Sequence, residues 1–312
     1  MIPRLIETFK QYSMFSVTSH VNVEGDALGS QIALYLLLKK LGKKVVMVNQ
    51  DPVPPSYAFL PSTSRITTNI PSRPVEVAVA SDCSDLFRTG SVQEYLAQAP
   101  VLVNIDHHIS NSKFGTVNWV DPDASSACEM VFHLCDRLKI MDKDIATCLY
   151  TGMYTDTGSF TYTNTTSAVH AIVSRLLEYP IVPQKIYHAI YSAYGLDDVH
   201  RIGRLISGIQ EDDTGRIAWL KTTHWPSDLK VDLTETVFSL MRLLKKSDVL
   251  LIFKPTASKS VRVNFRSKGS VDVNKIAKQF GGGGHCTASG TTIQGNLNAV
   301  EREVIRYVKK QL

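Results

Sequence analysis

Cysteine is scarce in this chain and follows no pattern. Its five thiols (Cys83, Cys128, Cys135, Cys148 and Cys286) form no C-x-x-C pair and no regular spacing. That excludes a disulfide framework or structural zinc as the organising device and fits reduced, packed thiols in the cytosol. Long apolar runs are missing too. The longest candidate, Ile32 to Leu38, is followed at once by Lys39 and Lys40, well short of the roughly 20 residues of a membrane-spanning helix. The opening MIPRLIETFK lacks the basic-then-apolar layout of a secretory signal, so a cytoplasmic protein without a membrane partner is expected. Runs of one charge are also absent. The net charge of +5 is spread along 312 residues, which suits an anionic ligand in a local pocket and not duplex DNA, whose binders carry a basic stripe. There are no internal repeats and no low-complexity tract beyond the glycines at 281–284.

Hydrophobic residues make up 44% of the chain, enough for a full core, and the length suggests about two domains. Ile2 to Gln11 reads as a helix, Ser13 to Ser19 as a strand, Ala27 to Leu41 as a helix stopped by Gly42, and Lys44 to Asn49 as a strand. Val75 to Ala80 and Val101 to Ile105 are continuous apolar runs, as in strands buried on both faces of a parallel sheet. Ser126 and Glu129 form a capping box for a helix to about Leu138, and Asp142 to Tyr154 reads as another helix. Beyond Tyr194 the character changes. A helix from Gly195 to about Ile209 precedes hairpin-like strands at 216–222, 249–254 and 261–266, with a helix at about 234–246. A helix at 273–280, the glycine loop and a last helix at 297–312 follow. The fold class expected is α/β: an N-terminal parallel-sheet domain with helices on both faces, plus a smaller C-terminal α+β domain across a cleft. The divisions are 1–192, a helical linker at 193–209, and 210–312.

Acid and histidine residues cluster where the N-terminal strands should end. His20, Glu24 and Asp26 precede Gly29-Ser30; Asp82 follows Ser81; Asp106, His107 and His108 are consecutive; Asp156 lies in a Thr/Gly-rich stretch. In open parallel sheets ligands sit outside the carboxyl ends of the strands. Carboxylates and imidazoles converging there are what a pair of divalent metals needs, and such a pair points to hydrolysis of a phosphate ester. Gly25 is read as permitting an unusual backbone angle, and Gly29-Ser30 as allowing close approach at the helix start. An N-capping role is the bland alternative for Asp26, a loop or cap role for Asp82, and turn formation for Asp156. His133, in an apolar helical pattern, is expected to be packed.

The order of these motifs, with Asp-His-His third, resembles the DHH phosphoesterase superfamily of RecJ-like nucleases. Phe265-Arg266-Ser267-Lys268, the glycine run to His285 and Ala288-Ser289-Gly290 resemble the DHH-associated domain. The size is most similar to the branch of nanoRNases and 3′-phosphoadenosine-5′-phosphate phosphatases. The resemblance implies that His20, Glu24 and Asp82 hold one metal. It implies that Asp26, Asp82, His107 and Asp156 hold the second, so that Asp82 bridges. Asp106 would orient a histidine, and His108 would contact the scissile phosphate. Manganese is the implied metal, with magnesium as the alternative. The family has Pro-Asp where this chain has Val23-Glu24, so the first site carries an extra methylene.

Arg266, Ser267, Gly282, Gly283, Gly284 and His285 are the candidate substrate-binding residues. Successive N–H groups of the glycine loop would form an anion nest, with Arg266 and His285 as charged donors. The smaller domain would grip a terminal phosphate or nucleotide while the larger one cuts. The expected partners are short RNA oligonucleotides or phosphorylated nucleotides, and a homodimer is compatible with the sequence. Competing readings are a phosphodiesterase for cyclic or linear dinucleotides, an inorganic pyrophosphatase, and a non-catalytic nucleotide-binding protein with a weakened metal site.

Overall fold

The computed structural model describes residues 1–192, 194–226, 233–256 and 259–312. They fall into two compact units, Met1–Ser192 and Ala193–Leu312. The first unit runs α1 (Ile2–Gln11), β1 (Met14–Thr18), α2 (Gly25–Lys40), β2 (Lys44–Val48), β3 (Ile66–Thr67), β4 (Val77–Ser81), α3 (Gln93–Ala97) and β5 (Val101–Asp106). It continues with β6 (Val117–Val120), α4 (Ala127–Leu138), α5 (Lys143–Asp156), α6 (Ser167–Leu176) and α7 (Pro183–Tyr191). Among the described residues its strands form one six-stranded sheet in the order β3-β2-β1-β4-β5-β6, parallel throughout.

Apolar runs without alternation become strands covered on both faces. Every residue of β4 is buried. Val77 and Val79 join the larger core with α1, α2, α4 and α5, while Ala78 joins a smaller core with Tyr95 and Leu96 of α3. α2 is central: it is buried almost all round and ends where Gly42 takes a left-handed φ of 76°.

The second unit contains α8 (Leu196–Ile206), β7 (Ile209–Glu211), β8 (Ile217–Lys221), α9 (Leu233–Met241), β9 (Val249–Pro255) and β10 (Ser260–Ser267). It closes with α10 (Val273–Gln279), β11 (Gly283–Gly284), β12 (Ala288–Gln294) and α11 (Leu297–Lys309). Its sheet order is β11-β12-β10-β9-β8-β7. Val261, Val263 and Phe265 face α10 and α11 in one core, and Leu250 and Ile252 face Val237 and Phe238 of α9 in the other. Two expectations are corrected. β8 and β9 are parallel, because α9 carries the chain back between them, so they are no hairpin. The helix expected to reach Ile209 stops at Ile206, and Ile209–Glu211 pairs with β8 as an edge strand.

No helix among the described residues is long and apolar enough to cross a membrane. His133 is exposed on α4, contrary to the packed position expected, because it falls on the helix face turned away from the core.

Candidate metal centre

The chain builds outward from β1 in both directions, so the strand order reverses between β1 and β4. Such a switch point opens a crevice at the strand carboxyl ends. His20, Asp82 and Asp106-His107-His108 leave the sheet there. Asp82 is the first residue past β4, with a left-handed φ of 57° that Asp tolerates better than most residues. Its N–H still donates to Ile105 O at 2.9 Å, so the chain turns without losing its grip on β5.

Two of the imidazoles, His20 and His107, are locked by a backbone carbonyl. His20 Nδ1 lies 2.7 Å from Val21 O and His107 Nδ1 lies 3.3 Å from Ala124 O. That leaves each Nε2 as the ligand nitrogen, the usual device in metal-binding histidines. His20 Nε2 is 3.4 Å from Asp82 Oδ2. His107 Nε2 is 3.5 Å from Asp82 Oδ1, 3.5 Å from Asp156 Oδ2 and 3.8 Å from Asp26 Oδ2. His108 Nδ1 meets Asp106 Oδ1 at 2.7 Å, and Asn111 donates to the other oxygen of Asp106 at 2.6 Å. Asp106 therefore fixes the ring of His108.

Asp26 sits in the first turn of α2 without capping that helix, where Glu24 takes the N-cap position. Its two oxygens instead accept Ala127 N and Cys128 N at 2.7 and 2.9 Å. The carboxylate thus lies at the positive end of α4. Asp156 is the last residue of α5, a helix end that repels anions. Glu24 is exposed. Candidate ligand atoms of His20, Glu24 and Asp82 lie within 4.8 Å of one another, as do those of Asp26, Asp82 and His107. Asp82 belongs to both groups.

Electrostatics marks the cluster as short of positive charge. Burial, followed by the charge of Asp82, raises Asp26 to about 7. Burial pushes Asp156 well up, reinforced by Asp26, Glu24 and Asp82. Burial opposes the charged forms of Asp82, His20 and His107. The histidines nevertheless hold Asp82 well below the usual carboxylate range, and the carboxylates raise both His20 and His107. Asp82 Oδ1 is buried without a hydrogen-bond partner; His107 and His108 stand 3.5 and 3.6 Å away, too far for a good bond. An orphaned carboxylate oxygen between two imidazole–carboxylate groups fits divalent cations on chemical grounds.

Glu24→Asp shortens the one exposed carboxylate of the first group. Metal titration should show a several-fold change in affinity relative to the unmodified chain. Superimposable titrations and turnover would show the extra methylene to be inconsequential.

Gly29 makes the close approach expected at the start of α2, and several further residues that build the centre carried no motif. Gly25, Gly29 and Gly152 let α2 and α5 touch. A Cβ on Gly25 would stand 2.3 Å from Thr155 Oγ1, one on Gly29 2.5 Å from Cys148 O, and one on Gly152 2.8 Å from Asp26 Oδ1. Gly25 thus serves close packing and not an unusual angle: it is the first residue of a regular helix. Gln31 and Asn49 exchange side-chain hydrogen bonds of 2.8 and 2.9 Å. Asn49 also accepts Ser19 N at 3.2 Å, while Ser19 Oγ donates to Ser81 O at 2.8 Å. This buried network ties the segments before His20 and Asp82 together. For Gly152 the one signal the sequence offered is a lone glycine inside a helical pattern.

In the second unit, Arg266 donates to Glu235 on α9 and lies over Phe238, 4.9 Å from its ring centroid. Ser267 Oγ accepts Gly269 N at 3.0 Å and Val271 N at 3.3 Å. The expected nest does not form across the glycine run. Gly281 N and Gly282 N donate to Lys278 O and Ala277 O, closing α10, and His285 N donates to Ala288 O. Gly283 and Gly284 are a strand paired with β12. A Cβ on Gly282 would stand 2.3 Å from Gly290 O, and one on Gly284 2.5 Å from Ala288 O, so these glycines permit a close strand approach.

A parallel sheet with a carboxylate–imidazole cluster at its switch point defines a hydrolase of the metal-dependent phosphoesterase class. The model of the DHH family N-terminal domain matches residues 14–153, and that of the DHHA1 domain matches 227–310. The chain belongs to the DHH phosphoesterase family. It is 32% identical over 307 residues, 95% of this chain and 89% of the relative, to the bifunctional oligoribonuclease and PAP phosphatase NrnA of Thermus thermophilus. With the protein of the same name from Bacillus subtilis it shares 26% identity, over 94% of this chain and 93% of that one. Its fold matches the crystal structure of an exopolyphosphatase-related protein from Bacteroides fragilis with a TM-score of 0.87 and 25% identity, covering 99% of this chain and 94% of that one.

Proposed function

We propose that this protein is a two-metal phosphoesterase that degrades short oligoribonucleotides to mononucleotides and removes a phosphate from 3′-phosphoadenosine 5′-phosphate. The observation that carries the reading is Asp82: a buried carboxylate shared by two ligand groups, one with His20 and Glu24 and the other with Asp26 and His107. The relatives named as oligoribonuclease and PAP phosphatase support the substrate class.

His20, Glu24 and Asp82 would hold one divalent cation, and Asp26, Asp82, His107 and Asp156 the other, with manganese favoured by the mixed imidazole and carboxylate donors. The chemistry such a pair supplies when bound is activation of water and neutralisation of phosphoryl charge. The chain's own groups do the rest. Asp106 holds the His108 ring in one orientation through Nδ1, so that Nε2 can meet a phosphoryl oxygen. Asp26, fixed by two N–H donors of α4, keeps its position without having to reorganise. Arg266, Ser267 and His285 are the proposed substrate-holding side chains of the second unit, with Gly282, Gly283 and Gly284 allowing the close strand approach beside them. Burial and the neighbouring acids raise the Cys83 thiol well above its usual range, which removes it as a nucleophile at neutral pH.

The test is a manganese-dependent panel of dinucleotide, longer oligomer, 3′-phosphoadenosine 5′-phosphate, cyclic dinucleotide and pyrophosphate. The reading expects mononucleotide from the linear oligomers, phosphate from 3′-phosphoadenosine 5′-phosphate, and neither product from the last two. Hydrolysis of pyrophosphate or the cyclic dinucleotide alone would replace it with one of the competing enzymes. No release from any member would make the protein a binding protein.

A further inference from the structure

Arg262, Asn264 and Arg266 alternate along β10, so they project from one face of the sheet. It is the face that α9 covers at Leu250 and Ile252; the intervening Val261, Val263 and Phe265 fill the opposite core. Beside α9 this face carries an open surface groove lined by Thr223, His224, Trp225, Lys254, Pro255 and Arg262. The proposed chemistry makes no use of it. Two of its walls are basic side chains, one is an imidazole and one an indole. Lys254 Nζ lies 4.3 Å from the centroid of the Trp225 ring and donates to Thr234 Oγ1 at 2.7 Å. A Cβ on Gly290 would come within 2.7 Å of Arg262 Nη2, so the bare glycine on β12 is what leaves the guanidinium its place on the sheet. Guanidinium and ammonium donors beside an aromatic wall are the elements that hold a phosphate of a single strand and its neighbouring base.

We propose that this groove is a second phosphate site, which takes a backbone phosphate of a single-stranded oligonucleotide of three or more residues. The inference rests on the nucleotide-hydrolase reading and adds a length-selecting element to it. Arg262 and Arg266 are four residues apart, about 13 Å along an extended strand. Anions held at the two positions therefore belong to different nucleotides. A bisphosphorylated mononucleotide at Arg266 leaves the groove empty, whereas a longer chain reaches it.

The test is fluorescence anisotropy with labelled trinucleotide, and competition by 3′-phosphoadenosine 5′-phosphate, on the full chain with chelator present so that nothing is turned over. Arg262→Gln should weaken trinucleotide binding roughly tenfold and lower the slope of log affinity against log salt by about 0.7. It should leave the competitor within about twofold, and Arg262→Lys should keep the parental slope. Equal losses for both ligands, no loss for either, a slope lost alike in both variants, or no trinucleotide binding by the unmodified chain would each overturn the proposal. A chain that binds trinucleotide with these dependences yet hydrolyses nothing with manganese would sink the catalytic reading and leave the groove standing. A chain that hydrolyses oligomers while Arg262→Gln changes nothing would do the reverse.

Discussion

Asp82→Asn should fold, unfold near the parental temperature, and hydrolyse the linear oligomers and 3′-phosphoadenosine 5′-phosphate at least about 10³-fold more slowly. Asparagine is the informative replacement because it tolerates the left-handed backbone that residue 82 adopts at a φ of 57°. Asp82→Ala would add backbone strain of about 1 kcal/mol to the loss of charge, mixing stability with chemistry. The amide keeps the volume and one acceptor oxygen but removes the negative charge that both ligand groups share. Because Asp82 stands between His20 and His107, its neutralisation should weaken both groups together. Circular dichroism with steady-state kinetics at saturating manganese separates the effects. Near-parental turnover by a folded Asp82→Asn would show that the carboxylate is only a turn residue.

Gly152→Ala has the second largest expected effect, and it acts through packing. Alanine normally favours a helix interior over glycine by about 1 kcal/mol. Here the added Cβ would stand 2.2 Å from Cys128 Sγ and 2.8 Å from Asp26 Oδ1. α5 must move off α2 and α4, or the Asp26 carboxylate must leave the two N–H groups that hold it. Overpacking of this kind costs about 1–3 kcal/mol, and the displaced Asp26 should weaken manganese binding as well. Gly203→Ala in α8 is the control, since a Cβ there meets nothing within 4 Å and the position is exposed. It should stabilise the chain by about 0.5–1 kcal/mol. Denaturant melts of the two variants, with manganese titrations, check the pair. Equal and stabilising effects would mean that α2 and α5 are not in close contact.

The parallel sheet was legible in the sequence because burial on both faces leaves a direct trace: apolar runs such as Val77–Ser81 that end abruptly in acid. His20, Asp82 and Asp106-His107-His108 could be placed together for the same reason, since strand ends in such a sheet share one edge. The supporting residues could not be. Gln31 and Asn49 find each other only because β1, β2 and α2 converge, and a Gln in an apolar helix has no local signature. The glycine run shows the opposite failure. Four consecutive glycines read as a phosphate nest, yet the closure of α10 takes up the N–H groups of Gly281 and Gly282, and Gly283 and Gly284 pair with β12. Local flexibility does not reveal which hydrogen bonds the tertiary fold will claim. The α9 crossover was hidden likewise, because parallel and antiparallel neighbours have the same apolar pattern.

Anomalous diffraction from crystals soaked in manganese bears most directly on the shared carboxylate. Two peaks are predicted, one contacting His20, Glu24 and Asp82, the other contacting Asp26, Asp82, His107 and Asp156. A single peak that Asp82 does not touch, or none at saturating metal, would contradict the two-metal centre.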